Sequence, residues 1–292
     1  MKASHGTSQR WTVKDVLDWT GRYLAGKGVS SPRLDAEVLL AHSLGTDRLH
    51  LYLNLDRPLL LHERDRYRDL VRRRAEREPV ALITGTKEFW SLPFRVAPGV
   101  LIPRPDTEIL VDVVLEEIKG IASPRVMEVG TGSGAVAVSI LHENPKATVL
   151  ATDVDTLSLQ IAWLNAKEAH VNGSLDCAAS DLFSAIRPGR GFDVICSNPP
   201  YIPTENIPAL EREIRDFEPQ RALDGGPDGL DVIRRLSVHA RDYLKDSGAI
   251  ILEVGDGQAD SVADILSDLG GFSAIYKFLD LAGKLRVVKG KV

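Results

Sequence analysis

Glu128-Val129-Gly130-Thr131-Gly132-Ser133-Gly134-Ala135 joins two apolar runs, Val126 to Val129 and Ala135 to His142. The first run is short enough for a strand. The second carries helical spacing. Glycines between a strand and a helix permit a tight turn and let a ligand approach the backbone. The helix behind them offers free N–H groups. Gly130, Gly132 and Ala135 formally satisfy the GxGxxG/A pattern of a dinucleotide site. The loop alone also fits a plain structural turn.

Downstream of this loop the chain alternates. Strands are expected at Thr148 to Thr152, Ser174 to Ala179, Phe192 to Cys196 and Ala249 to Glu253, with two final ones at Ser273 to Leu279 and Lys284 to Val288. Helices are expected at Leu157 to Ala169, Leu230 to Leu244 and Ala259 to Leu269. Such alternation implies an α/β domain, with a mostly parallel sheet covered by helices on both faces. Upstream, Thr86 to Val100 holds Phe89, Trp90, Phe94 and Val96 among the breakers Pro93, Pro98 and Gly99, and reads as a β-hairpin linker. An apolar helix is expected from Ile109 to Ile118.

The first stretch reads as a small all-helical domain. Thr12 is an expected N-cap, Ser31 another with Pro32 at the first helical position, and Gly45 a stop. A third helix is expected over Leu59 to Arg77; Arg72-Arg73-Arg74 on it reads as a solvated face, diluted by Asp69, Glu76 and Glu78. The expected limits are residues 1–83 for the helical domain, 84–100 for the hairpin linker and 101–292 for the α/β domain.

Composition excludes several classes. The net charge of −5 gives no global electrostatic case for nucleic-acid binding, so no stable nucleic-acid partner is expected. Cys177 and Cys196 are too few for a disulfide framework and carry no metal-ligand spacing. No metal is therefore expected. Met1 to Arg10 is polar and lacks the apolar stretch of a signal peptide. No apolar run approaches ~20 residues, so no membrane span is expected. A cytoplasmic monomer is the expectation.

Glu128 separates the two cofactor readings of the glycine loop. An acid directly before it would repel a pyrophosphate. It would suit a ligand that carries a sulfonium and an ammonium, as S-adenosylmethionine does. Asp153, about 20 residues past the glycines, can bind ribose hydroxyls with either cofactor, or cap the following helix, as can Asp155. Asp181 follows the third strand and either accepts from an adenine amino group or sits in a surface turn.

Asn198-Pro199-Pro200-Tyr201 follows the strand Phe192 to Cys196. The prolines stiffen the backbone and remove two N–H donors, and Pro199 holds Asn198 extended. The Asn198 oxygen and a backbone carbonyl can then converge on one incoming –NH2 group. Tyr201 offers a face for stacking a planar amide or base. That is what methylation of a weakly nucleophilic planar nitrogen requires. Asn198, Pro199 and Tyr201 are thus the expected catalytic residues.

With these segments in view, the chain resembles the release-factor glutamine N5-methyltransferases along nearly its whole length. The resemblance rests on Phe89-Trp90, Leu101 to Glu108, Glu128 to Gly134, Asp153, Ser180 to Phe183, Asn198 to Tyr201, Phe217-Glu218-Pro219, Leu223 to Leu230 and Asp280 to Lys284. It implies a Rossmann-like class I methyltransferase domain. The implied reaction moves a methyl from S-adenosylmethionine, leaving S-adenosylhomocysteine, to the glutamine amide of the GGQ loop of a peptide-chain release factor. By the resemblance, Gly130, Thr131, Gly132, Ser133, Gly134, Asp153 and Leu182 line the cofactor site; with Glu128, Asp181 and Asn198 they are the expected cofactor residues. The implied substrate residues are Asn198, Pro199, Pro200 and Tyr201, with Leu101 and Ile102 walling the slot. The helical domain would grip the release factor away from the loop. Where this chain has Glu128 the family often has Asp. Arg104 and Arg221 read as loop-ordering partners of nearby acids. Phe89 and Trp90 read as hairpin core. A nucleic-acid amino-methyltransferase, a non-catalytic cofactor-binding scaffold and a dehydrogenase remain alternatives, the last leaving the Asn-Pro-Pro-Tyr segment unexplained.

Overall fold

The computed structural model describes residues 10–292, so the polar start, residues 1–9, lies outside the described residues. The chain divides into two compact units after Gly85, and the hairpin belongs with the second.

The first unit is helical: α1 (Val13–Gly26), α2 (Pro32–Leu44), α3 (Arg48–Leu53), α4 (Leu61–Ala75) and α5 (Val80–Thr84). Thr12 and Asp15 form a reciprocal capping box at the start of α1. Pro32 occupies the first turn of α2, but Ser31 makes no side-chain cap bond there. Gly45, at φ 65°, ends α2 in the left-handed conformation. The third helix is shorter than its apolar pattern: Leu60 is extended, and Arg77 takes φ 78°. The core joins Leu17, Leu24, Leu39, Leu40, Leu51, Tyr67 and Val71. Arg74 departs from the solvated-face reading, because it is buried and its Nε donates to Asp35 at 2.6 Å. The short α3 and α5 carry too few residues for a readable period.

The second unit opens with the hairpin β1 (Thr86–Phe89) and β2 (Leu92–Arg95). Trp90 and Ser91 turn it at φ 53° and 57°, the positive pair that matches strand twist. A 3-10 turn, Pro105–Thr107, leads into α6 (Glu108–Glu117). Then follow β3 (Arg125–Val129), α7 (Ala135–Glu143), β4 (Thr148–Asp153), α8 (Thr156–Glu168), β5 (Leu175–Ala179) and β6 (Phe192–Ser197). The remainder is α9 (Arg212–Arg215), α10 (Asp231–Ala240), β7 (Leu244–Glu253), α11 (Ala259–Leu269), β8 (Ala274–Leu279) and β9 (Leu285–Lys291). The helix expected over Leu230 to Leu244 stops at Ala240, and Leu244 opens a strand that pairs with Phe192. No element was expected where the 3-10 turns Thr204–Ala209 and Gln220–Ala222 and the four-residue α9 lie.

The sheet order is β5-β4-β3-β6-β7-β9-β8. β5 through β7 are parallel, and β9 runs antiparallel to both its neighbours. Side chains alternate between faces along each strand. Val126, Val194, Ile251 and Val287 pack with α6 and α7 residues such as Leu110 and Val138. Met127, Ile195, Ile250 and Val288 pack with Ile233 and Leu236 of α10 and Val262 of α11. Both faces of the sheet are therefore covered. The order reverses between β3 and β6, and a crevice opens at such a switch, beyond the carboxyl ends of the strands. The glycine loop leaves β3 and the Asn-Pro-Pro-Tyr segment leaves β6. Topology thus makes neighbours of segments about 65 residues apart.

Candidate active site

A cavity of about 270 Å³ lies at this switch point. Its floor is the glycine loop. Gly130 (φ 75°) and Gly132 (φ 56°) have open space where a Cβ would be, so both their conformation and their bareness serve the cavity. Thr131 and Ser133 also line it. Gly134 does not: a Cβ there would lie 2.8 Å from that of Ala162, so this glycine serves helix packing.

Glu128 is buried at the end of β3 and faces the cavity. Its Oε2 accepts the Thr131 hydroxyl at 2.6 Å and the Ala137 N–H at 3.2 Å. Burial nevertheless pushes its carboxyl up to about 8, helped by the nearby charge of Asp153. A cationic ligand would offset that cost. Asp153 accepts from the N–H groups of Gly132 and Asp155, each at 2.9 Å. Burial raises its pKa too. Capping of α8 falls to Asp155, whose carboxylate accepts from Ser158 N. Asp153 is left with lone pairs at the cavity wall.

Asp181 reaches the cavity, but its Oδ2 is held by Arg235 at 2.7 Å, a partner that the sequence did not suggest. Leu182 lines the same wall with φ 52°, a conformation costly for a branched residue and common at ligand sites.

Asn198, Pro199 and Pro200 also line the cavity, together with Leu101. Ser197 fastens β6 to β3 by donating to the Val129 carbonyl at 2.7 Å. Asn198 Nδ2 donates to Thr107 Oγ1 at 3.0 Å, which leaves its Oδ1 unspent. Two expected lining residues stand elsewhere. Ile102 is buried away from the cavity, with its N–H toward Glu218. Tyr201 is likewise not part of the lining; its hydroxyl donates to Glu253 at 3.2 Å. A stacking role for its ring is not met in this arrangement.

The loop following Asn-Pro-Pro-Tyr is clamped from outside. Ile202 exchanges backbone bonds with Leu223 and Gly225, and Gln258 Nε2 donates to the Tyr201 carbonyl at 2.9 Å. Arg104 pairs with buried Glu218, and Arg221 with Asp155 while donating to the Gly99 carbonyl, as expected of loop-ordering arginines. Phe89 is buried in the core and also touches the cavity. Thr107, Gln258, Arg235 and Glu253 escaped the sequence reading. Each becomes legible only as a neighbour. Among the described residues no His/Cys/Asp/Glu cluster could hold a metal ion. No helix among them is long and apolar enough to cross a membrane.

The cavity suits S-adenosylmethionine on its own chemistry: a buried acid for a cationic group, acceptors at a strand end for hydroxyls, and bare glycine backbone between them.

Comparison with known proteins agrees. The family described as PrmC N-terminal domain matches residues 15–85, and the methyltransferase small domain matches residues 104–214. The release factor glutamine methyltransferase of Rhodopirellula baltica is 42% identical, over 95% of this chain and 95% of the relative. That of Geobacter sulfurreducens is 43% identical, over 97% of each. The solved catalytic domain of hMettl16 covers 76% of this chain and 81% of its own with a TM-score of 0.53 and 16% identity. That likeness shows the class I methyltransferase fold alone. Taken with the cavity, the matched domains and near-complete relatives place this chain in the release factor glutamine methyltransferase family, as an S-adenosylmethionine-dependent methyltransferase.

Proposed function

We propose that this enzyme methylates the side-chain amide nitrogen of the glutamine in the GGQ motif of a peptide-chain release factor. The observation carrying this reading is Asn198: its Nδ2 is spent on Thr107, so its Oδ1 is free to accept from an amide at the cavity wall. The relatives' names support the substrate. The helical unit is the part we assign to holding the release factor away from its loop. A cytoplasmic, metal-free monomer without a stable nucleic-acid partner completes the proposal.

When bound, S-adenosylmethionine supplies a methyl group made electrophilic by its sulfonium. Glu128, Gly130, Thr131, Gly132, Ser133, Asp153, Asp181 and Leu182 would hold it. Asn198 Oδ1 and a carbonyl of the proline segment take the two N–H bonds of the substrate amide. That holds the amide plane and leaves the nitrogen lone-pair face open. The rigid prolines fix those acceptors in advance, so little reorganisation is needed on reaction. For each methyl gained, the alkylated nitrogen gives up one of its protons, which passes to solvent, so atoms and charge balance. Pro199 and Pro200 also exclude water from that wall.

Mass spectrometry of purified release factors, incubated with this protein and S-adenosylmethionine, tests the reading. A mass gain of one methyl on the GGQ glutamine is expected. Label found in nucleic acid and not in the factor would replace the substrate class.

A further inference from the structure

Asn198 can offer the cavity either an acceptor or a donor, depending on which way its carboxamide is turned. Only the acceptor face suits an incoming –NH2 group. Its orientation must therefore be set by a group bonded to its other end. Thr107 is that neighbour: buried, at the end of the Ile-Pro-Arg-Pro-Asp-Thr segment, and accepting from Asn198 Nδ2 at 3.0 Å.

A threonine hydroxyl has one proton and two lone pairs. If it accepts from Asn198, its proton must go elsewhere. Glu253 provides the destination. It closes β7 beside β6, where Leu252 pairs with Ser197, and it is fully buried. Its Oε1 accepts from the Tyr201 hydroxyl at 3.2 Å, while its Oε2 is buried without a hydrogen-bond partner. An ionised carboxylate only accepts. When ionised, Glu253 would draw the proton of the neighbouring Thr107 hydroxyl toward it, and Thr107 would then present its lone pairs to Asn198.

We propose that Glu253 and Thr107 are positioning residues that lock the Asn198 carboxamide with Oδ1 toward the cavity, and so select a substrate amide over a carboxylate. The inference rests on the methylation reading above. A glutamate side chain would bring a second acceptor against Asn198 Oδ1 and be repelled. The groups facing Glu253 are Tyr201, Thr107, Arg286 from β9 and Asp106 from the 3-10 turn. Burial pushes the Glu253 carboxyl up to about 7, against the nearby Thr107 hydroxyl, the Tyr201 hydrogen bond and the Arg286 charge. Below that pH a protonated Glu253 could donate, and the chain of hydrogen bonds would lose its fixed direction.

The test compares Thr107→Val, Thr107→Ser and Glu253→Gln in the full-length enzyme. Turnover is read on a release factor, S-adenosylmethionine affinity by calorimetry, folding by thermal melting, and the Asn198 side-chain amide by NMR of the free protein. Thr107→Val should lower kcat about 10- to 100-fold, less than loss of a group touching the reacting atoms, with cofactor affinity nearly unchanged and a cooperative melt retained at a somewhat lower temperature. Thr107→Ser should restore most of that turnover. In the free wild type the Asn198 amide signal should shift with pH near 7, and Glu253→Gln should abolish the shift. Wild-type kcat in Thr107→Val, or equal loss in Thr107→Ser and Thr107→Val, would overturn the proposal. So would a pH shift that survives in Glu253→Gln. A wild type that cannot methylate the factor would instead sink the functional reading, leaving the orientation to the NMR result.

Discussion

Arg104 and Glu218 stand 114 positions apart in the chain, yet the Arg104 guanidinium donates to Glu218 Oε1 at 2.5 Å. Glu218 is buried, and it also faces the Ile102 N–H at 3.4 Å. This pair pins the segment from Leu101 to Arg104, which forms part of the cavity wall, to the loop before α10. Glu218→Ala would leave the Arg104 charge without its partner and free that wall. The expected cost is about 1–2 kcal/mol of stability, with cofactor affinity about tenfold weaker and kcat less affected. Thermal unfolding and calorimetry check both, and unchanged affinity would show that the wall stands without the pair.

Glu128 predicts a pH dependence of cofactor binding. Burial raises its pKa to about 8 in the free protein, so at pH 7 the protonated form prevails. A cationic ligand favours the carboxylate and lowers that pKa. Binding must then release a proton below pH 8, and affinity should rise as pH climbs toward 8 and level off above it. Calorimetry in buffers of different ionisation enthalpy reads the proton directly. Glu128→Gln should abolish the release; a proton count that persists in it would assign the effect to another group.

Asn198→Ala should cost about 10²- to 10⁴-fold in kcat, in line with removing a group that aligns the reacting atom. Cofactor affinity should change by less than about tenfold, since most contacts of that site lie on the glycine loop and at Asp153. Single-turnover assays with a release factor separate the two quantities. Near-normal kcat would remove the acceptor role.

Gly229 and Gly257 share φ 79°, but a Cβ at Gly229 would meet the Tyr201 carbonyl oxygen at 2.2 Å, whereas one at Gly257 meets nothing within 4 Å. Gly257→Ala should therefore cost only the left-handed strain, about 1–2 kcal/mol. Gly229→Ala adds an overlap worth about 1–3 kcal/mol more and pushes on the Asn-Pro-Pro-Tyr backbone, so its turnover should fall as well. Melting and kcat of the two variants side by side give the comparison. Equal effects would mean that the loop yields freely.

Part of the cavity lining is legible in the sequence. Gly130, Gly132, Glu128, Asp153 and Asn198 announce themselves because each is a residue type whose chemistry is unusual at the end of a strand. Thr107 and Glu253 give no such signal: neither residue type is unusual where it stands in the sequence. Tyr201 is ambiguous in the sequence for the same reason. Its ring could stack on a substrate, but only the packing shows its hydroxyl turned toward Glu253. Gly134 reads as the third cofactor-contacting glycine of the loop, but a Cβ there would lie 2.8 Å from that of Ala162, so its bareness serves helix packing.

Local spacing by itself fixed the α/β alternation, the helical start, the glycine turn and the stiff proline segment, because each depends on backbone geometry within a few residues. Tertiary structure alone decided which distant groups meet. Reversal of strand order between β3 and β6 sets Glu128 and Asn198 on one cavity, and β7 brings Glu253 to the Tyr201 hydroxyl. Such pairings are settled by sheet order and by the burial of charges that must find partners, and neither has a period that a linear chain displays.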